Sequence, residues 1–335
     1  MTSDYLTALD QKLRALTRTR APLYADFFNI LHYHLGWTDA QGNAAQADMG
    51  KRIRPLLCLW ACEAVGANWR GALSAAAAIE LIHNFSLIHD DIQDDSAARR
   101  GRATVWKVWG MAQGINAGDA MFVLAQQAIN EIPTNLSLAR YADIQRAFNA
   151  AIFKLTQGQY LDLAYERADQ VTLEQYLEMV SGKTAALLCA ACEIGARIGT
   201  DDRHLYRTLA RYGEHLGIAF QIADDVLGLW GDPQVTGKSA ETDLLSRKKS
   251  YPILYALQAD GGSELRALYA KSEWTENDVH RAQEILGKTN ARAQALHQAE
   301  MYARQAQDAL DATNLKNPAI TRLSDLIQQV VYREK

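Results

Sequence analysis

Cysteine and proline are both scarce in this chain of 335 residues, which carries four of the first and six of the second. Cys58, Cys62, Cys189 and Cys192 lie in apolar, alanine-rich stretches, and no second cysteine pair or histidine cluster follows at zinc-site spacing. Neither a disulfide framework nor a structural zinc site is expected. The prolines, at 22, 55, 133, 233, 252 and 318, leave long intervals free of the helix breaker. Runs of alternating β-branched residues, the mark of strands, are absent. Also missing are a repeat of solenoid period, a low-complexity linker and an uninterrupted apolar run of about 18 residues. The polar start, Met1 to Asp10, is unlike a signal peptide. A soluble, cytoplasmic protein without stable membrane insertion is the expectation. Neither sign of charge dominates, with 35 Lys and Arg against 39 Asp and Glu and a net charge of −4. That balance gives no support for a nucleic-acid or anionic-membrane partner.

What is present is helix-forming sequence rich in Ala, Leu, Gln and Glu. It predicts helices near 4–17, 20–36, 51–66, 71–93, 103–131, 136–165, 173–199, 202–230, 250–259, 274–288, 291–313 and 319–332. Helices without intervening strands argue an all-α, single-domain bundle over 1–335, with residues 1–45 as N-terminal helices packed on the core.

The most informative stretch runs from Leu81 to Asp95, an apolar helical run that ends in Asp90, Asp91, Asp94 and Asp95, with Arg99 and Arg100 close behind. If the helix persists, Asp90 and Asp94 share one face, as do Asp91 and Asp95. Like charges at that spacing repel, so a cation must offset them. Oxygen ligands with no nearby Cys favour a hard ion such as Mg²⁺. Two arginines just beyond suit an anionic substrate, because guanidinium grips phosphate oxygens in pairs. The competing reading is a solvated acidic helix end. Residues 220–232 repeat the pattern: an apolar helix runs into Asp224 and Asp225, then breaks at Gly231 and Pro233. Gly237-Lys238, Asp243 and Arg247-Lys248-Lys249 follow.

Other stretches add chemistry. Lys51 and Arg54 in the Gly50–Pro55 cluster are three apart and point the same way if that segment is helical; Pro55 suits a first helical turn, where unpaired N–H groups favour anions. His83 lies two turns before Asp90 on nearly the same face, and Phe85 lies about 7.5 Å before it along the axis. A large ring at that level could floor a pocket for a chain anchored at the acids, or be a plain core aromatic. The polar island from Thr156 to Gln159, with Asp162 one turn on, suits either a cavity face or a solvated stripe. Gly182-Lys183-Thr184 is no P-loop, because Leu177 stands where its first glycine belongs and no strand precedes it.

In this order over residues 46–255, the two acidic helix ends and the basic clusters resemble the trans-isoprenyl diphosphate synthases. These polyprenyl synthetases, of the geranylgeranyl and farnesyl diphosphate synthase kind, are all-helical enzymes of the class I terpenoid synthase type. The resemblance implies a Mg²⁺-dependent prenyltransferase that condenses isopentenyl diphosphate with C5 to C15 allylic diphosphates by ionisation, condensation and elimination. It implies a linear all-trans product and a homodimer. By the same resemblance Asp90, Asp91, Asp94, Asp224 and Asp225 hold three Mg²⁺ ions, with Asp225 acting from behind Asp224. Lys51, Arg54, His83 and Arg100 take isopentenyl diphosphate, and Arg99, Lys183, Thr184, Lys238 and Lys248 meet the allylic diphosphate. Gln221 turns its amide oxygen toward developing positive charge. Phe85 and the small Ser86 fall where the family limits product length. With the compact spacing from Asp90 to Asp94, Phe85 implies C20 geranylgeranyl diphosphate, the alternative being C15 farnesyl diphosphate. The second motif departs from the family at Gly228, where an aspartate is usual, which puts a water-mediated contact in doubt. Two rivals remain open: a class I terpene cyclase, which has no use for Lys51, Arg54, His83 and Arg100, and a non-catalytic subunit of a heteromeric synthase.

Overall fold

The computed structural model describes residues 2–19, 21–132, 136–231, 244, 247–259, 262–271 and 273–331. The chain divides into two compact units, Met1–Phe148 with Ala191–Tyr206, and Asn149–Ala190 with Arg207–Lys335. Both are helical, and the fold is all-α as the composition predicts.

The first unit holds α1 (Thr2–Leu16), α2 (Ala25–His34), α3 (Ile53–Ala64), α4 (Leu73–Gln93), α5 (Val105–Trp109) and α6 (Met111–Ile129). Its core is the enclosed run Leu56 to Cys62 of α3 against Ala75 to Ile82 of α4. Every residue of α4 from Ala75 to Ile82 is buried, and that stretch is apolar nearly all round. Helix α6 lies close along α4 because its glycines admit α4 side chains; a Cβ at Gly118 would stand 2.2 Å from the His89 ring. One helix predicted over 103–131 is two, since Gly110 at φ +85° breaks α5 from α6. Two-residue strands β1 (Ala98–Arg99) and β2 (Arg102–Ala103) form a hairpin between α4 and α5. Its turn residues, Arg100 and Gly101, both have positive φ, 50° and 73°. That is the backbone of the turn best matched to strand twist.

The second unit holds most of α7 (Leu138–Arg167), then α8 (Leu173–Val180), a π-helical turn (Ser181–Ala185) and the start of α9 (Ala186–Gly199). Most of α10 (Arg203–Trp230) follows, with α11 (Tyr251–Gln258), α12 (Ser263–Tyr269), α13 (Glu276–Lys288), α14 (Ala291–Asp311) and α15 (Pro318–Val331). Helix α8 starts on a capping box, Thr172 with Gln175, that satisfies two otherwise orphaned N–H groups. Gly158 of α7 packs onto the π turn so closely that a Cβ would fall 2.0 Å from the Lys183 nitrogen. Leu229, Leu244, Ile253, Leu265, Val279 and Leu286 form an apolar core within this unit. Helix α12, seven residues long, was not predicted.

Two helical stretches, Trp69–Gln93 and Leu173–Gly199, are long and apolar enough on average to cross a membrane, although neither is an unbroken apolar run. Their apolar windows are 67% and 78% buried inside the protein, as core helices are.

Candidate active site

In the first unit the geometry follows from where α4 ends. Successive helical residues are about 100° apart, so Asp90 and Asp91 cannot face the same way. Asp91 turns inward and is 2% exposed, Asp90 is half-buried and Asp94 is exposed. Asp94 caps the helix and donates its N–H to the Asp90 carbonyl at 2.8 Å, which keeps these two residues one turn apart. Asp95, at φ 50°, leaves the helix, so the expected pairing of Asp91 with Asp95 on one face does not form.

The inward Asp91 binds Arg99, whose Nε and Nη2 both donate to Oδ1 at 2.8 Å. Burial pushes the Asp91 carboxyl up, against the pull of Arg99. The hairpin turn carries Arg100 over Gly50, where a Cβ would lie 2.6 Å from Nη2. Burial lowers the pKa of Arg100. Arg102 secures the hairpin, donating to the Tyr33 carbonyl at 3.1 Å and the Thr38 carbonyl at 2.8 Å, and stacking 3.9 Å over the Tyr33 ring. A cavity of about 30 Å³ lies among His34, Asp48, Asp91, Arg99 and Arg100.

The Gly50–Pro55 cluster is arranged differently from its prediction. Helix α3 starts at Ile53, after a left-handed Arg52 at φ 47°. Lys51 therefore precedes the helix, exposed, and does not share a helical face with Arg54. Pro55 does sit in the first turn, where it forfeits no intrahelical bond. Arg52 is 8% exposed and pairs with Asp10 at 3.4 Å. Arg54 donates to His83 Nε2 at 3.2 Å, so the ring is neutral and carries its proton on Nδ1. Burial, with Arg54, Arg100 and Arg99 near by, holds the pKa of His83 well below its usual range. Ser86 is turned back to the His83 carbonyl at 2.8 Å. Phe85 meets Phe122 edge-on with ring centres 5.4 Å apart, and His89 at 4.9 Å.

In the second unit Lys183 projects from the π turn into an ion pair with Asp162. The polar island of α7 thus splits, with Asp162 joining the site, Gln159 buried, and Thr156 and Gln157 exposed. Thr184 donates to the Gln221 amide oxygen at 2.8 Å, and Gln221 donates in turn to Asp225 at 3.1 Å. The Gln221 oxygen is therefore occupied by a hydroxyl rather than presented alone. Asp225, 6% exposed, also accepts from the Tyr176 hydroxyl at 2.6 Å and the Tyr251 N–H at 3.0 Å. Burial pushes its carboxyl up, while Lys248 and these donors pull it down. Asp224, one residue earlier, is exposed. Lys249 donates to the carbonyls of Tyr165, at 2.6 Å, and Ala168. Lys238 and Asp243 lie outside the described residues.

Asp90 and Asp94 in the first unit, and Asp224 in the second, are each carboxylate oxygen donors at half-buried or exposed positions, of the kind a hard cation takes. Among the described residues no group of three or more His, Cys, Asp or Glu is placed to hold a metal by itself. Asp91 accepts Arg99 on Oδ1, and Asp225, expected behind Asp224, accepts three hydrogen bonds. Sequence reasoning missed Tyr176, Tyr251, Asn84, His34 and Glu80. Only Glu80 left a signal, a carboxylate within an apolar helical run.

Residues 37–286 match the family model described as polyprenyl synthetase. The chain is 37% identical over 312 residues to a (2E,6E)-farnesyl diphosphate synthase of Mycobacterium tuberculosis, covering 91% of this chain and 86% of the relative. It is also 37% identical over 317 residues to a geranylgeranyl diphosphate synthase of that organism, covering 94% and 88%. It matches the crystal structure of a polyprenyl synthetase from Streptomyces coelicolor A3(2) with a TM-score of 0.89 and 37% identity, over 98% of both chains.

Proposed function

The chain belongs to the polyprenyl synthetase family and is a trans-prenyltransferase, and from that premise we propose that it condenses isopentenyl diphosphate with C5 to C15 allylic diphosphates to linear C20 geranylgeranyl diphosphate. One observation carries the reading: Arg54 is bonded to a neutral His83 at 3.2 Å, with Arg100 close enough to depress that histidine's pKa. A second diphosphate suits such a basic set, and a terpene cyclase, which handles one diphosphate, has no use for it. Equal identity to a C15 and a C20 synthase leaves the choice of length to the pocket. There the Phe85 and Phe122 rings, 5.4 Å apart, support a floor one and a half turns below Asp90.

The family uses a divalent metal, which we take to be three Mg²⁺ ions, held by Asp90 and Asp94 and by Asp224. Bound there, Mg²⁺ would offset the repulsion between carboxylates and diphosphate and stabilise the leaving group. Asp91 aims Arg99, and Asp225 pins Gln221. Arg99, Lys183, Lys238 and Lys248 take the diphosphate oxygens as charge grows on them during C–O cleavage. Thr184 and Gln221 offer their dipoles to the allylic cation. Lys51, Arg54, His83 and Arg100 hold isopentenyl diphosphate so that its double bond attacks that cation from a fixed distance. A proton then leaves to the departing diphosphate, and no side-chain nucleophile is required.

The test is the product distribution from purified protein with Mg²⁺, isopentenyl diphosphate and, separately, C5, C10 and C15 allylic diphosphates. Linear C20 product is expected, and Phe85→Ala should lengthen it. C15 product would move the floor to another helix. Cyclic hydrocarbon, or no elongation, would overturn the reading.

A further inference from the structure

Beneath the arginines of the first unit runs a buried polar chain that no motif announces. Glu80 on α4 is 3% exposed, and Asn84, one turn on, is 2% exposed. The Asn84 amide donates to Glu80 Oε1 at 3.1 Å and to the Glu80 carbonyl at 2.8 Å. Asn84 also raises the pKa of the buried His34, against the larger effect of burial. The other carboxylate oxygen, Glu80 Oε2, is buried with no hydrogen-bond partner among the described residues. Burial pushes the Glu80 carboxyl up, while its basic neighbours Arg52, Arg54 and Arg100 and the Asn84 amide pull it down toward the charged form. Arg52 is tied to Asp10, Arg54 to His83, and Arg100 is laid over Gly50. A buried carboxylate with an unmet oxygen is costly and persists where something else depends on it.

We propose that Glu80 is a positioning residue for the homoallylic diphosphate site: aimed by Asn84, its carboxylate supplies the counter-charge that keeps Arg54 and Arg100 assembled before substrate arrives. This rests on the reading that those arginines take isopentenyl diphosphate. Guanidiniums crowded together repel, and the diphosphate that would compensate them is present only in the complex. A fixed anion behind them removes that repulsion from the empty site, so that less reorganisation opposes binding.

Glu80→Gln keeps the shape and the oxygen that Asn84 donates to, and removes the charge. The expected result is a KM for isopentenyl diphosphate raised about tenfold, as when a buried charge partner is lost, with kcat and the KM for the allylic diphosphate little changed. Glu80→Asp should recover part of the loss. An unchanged KM, a fall in KM as expected if Glu80 merely repels the anion, or equal rises for both substrates would overturn the proposal. Should Glu80→Gln fail to fold, Asn84→Ala, which releases Oε1 and the Glu80 carbonyl and leaves the carboxylate in place, must give the same selective rise; a KM for isopentenyl diphosphate like that of the unaltered enzyme would again overturn it. Arg54→Ala, measured alongside, tests the underlying reading, which fails if that KM does not move.

Discussion

At the end of α4 the inward aspartate, Asp91, holds a guanidinium, whereas in α10 the inward aspartate, Asp225, holds a phenol, a backbone N–H and a side-chain amide. Both motifs leave their first aspartate less enclosed than the second, Asp90 half-buried and Asp224 exposed. Arg99 carries a full charge on a side chain that is 31% exposed, so it can share its donors with an incoming anion. The donors to Asp225 are neutral, and they come from α10 itself, from α8 and from the start of α11. One inward aspartate is paired with a charged, partly exposed side chain, and the other joins helices. The same two letters of sequence thus take a charged partner in one place and neutral ones in the other.

The largest effects should test what the motifs share. Asp90→Ala and Asp224→Ala should each lower kcat by about a thousandfold or more, the range seen when transition-state charge loses its partner, with melting temperatures nearly unchanged. A near-normal rate in either variant would defeat the assignment of the outward aspartates to metal. The inward pair should then separate the motifs. Asp225→Ala strands the buried Tyr176 hydroxyl and Tyr251 N–H and the half-buried Gln221 amide and should cost about 3 kcal/mol in urea unfolding. Asp91→Ala frees a guanidinium that water can reach and should cost about 1 kcal/mol. Equal losses would break the comparison.

A smaller effect lies in pH. Burial first, then Arg99 and Arg100, lowers the pKa of His34 to about 3 from 6.5. As pH falls below 6.5 the unfolded chain takes up a proton that the folded His34 refuses. Folding should therefore weaken by about 1.4 kcal/mol per pH unit for this one group. Asp225 works with the opposite sign, since its raised carboxyl contributes stability that is present at low pH and lost as pH rises through its folded pKa. Chemical unfolding at pH 6.5 and 5 should show a shallower acid loss in His34→Gln; an unchanged slope would mean that folded His34 is protonated.

Much of this was legible in the chain, for physical reasons. Sparse prolines and continuous helix formers placed most helices within two or three residues of where they lie, and α4 ends at Gln93 as the 71–93 stretch predicts. The failures occur where a single backbone angle decides. Nothing in the composition of the segment around Arg100 and Gly101 marks a hairpin, because Arg-Gly is not among the dipeptides that usually announce one. Gly110 and Arg52 likewise act through φ, which neighbouring residues do not reveal. At the site, the charged residues were readable from their spacing and family order. The division of each aspartate pair into outward and inward members follows from helical rotation alone. Their partners did not: Tyr176 and Tyr251 lie 49 and 26 positions from Asp225, and only folding brings them together.

The π turn at Ser181–Ala185 sets a rotational phase. Such a turn closes one residue later than an α-turn, so deleting one of its residues would restore ordinary helix and swing everything after it by about 100°. Ala185 and Leu188 would leave the glycines shaped to receive them, Gly217 and Gly213, where a Cβ would stand only 2.6 Å from the Ala185 Cα and 2.5 Å from the Leu188 oxygen. Substitution within the turn changes a side chain, whereas a single deletion would put the following helix out of step with its neighbour, as when a gear is meshed one tooth away.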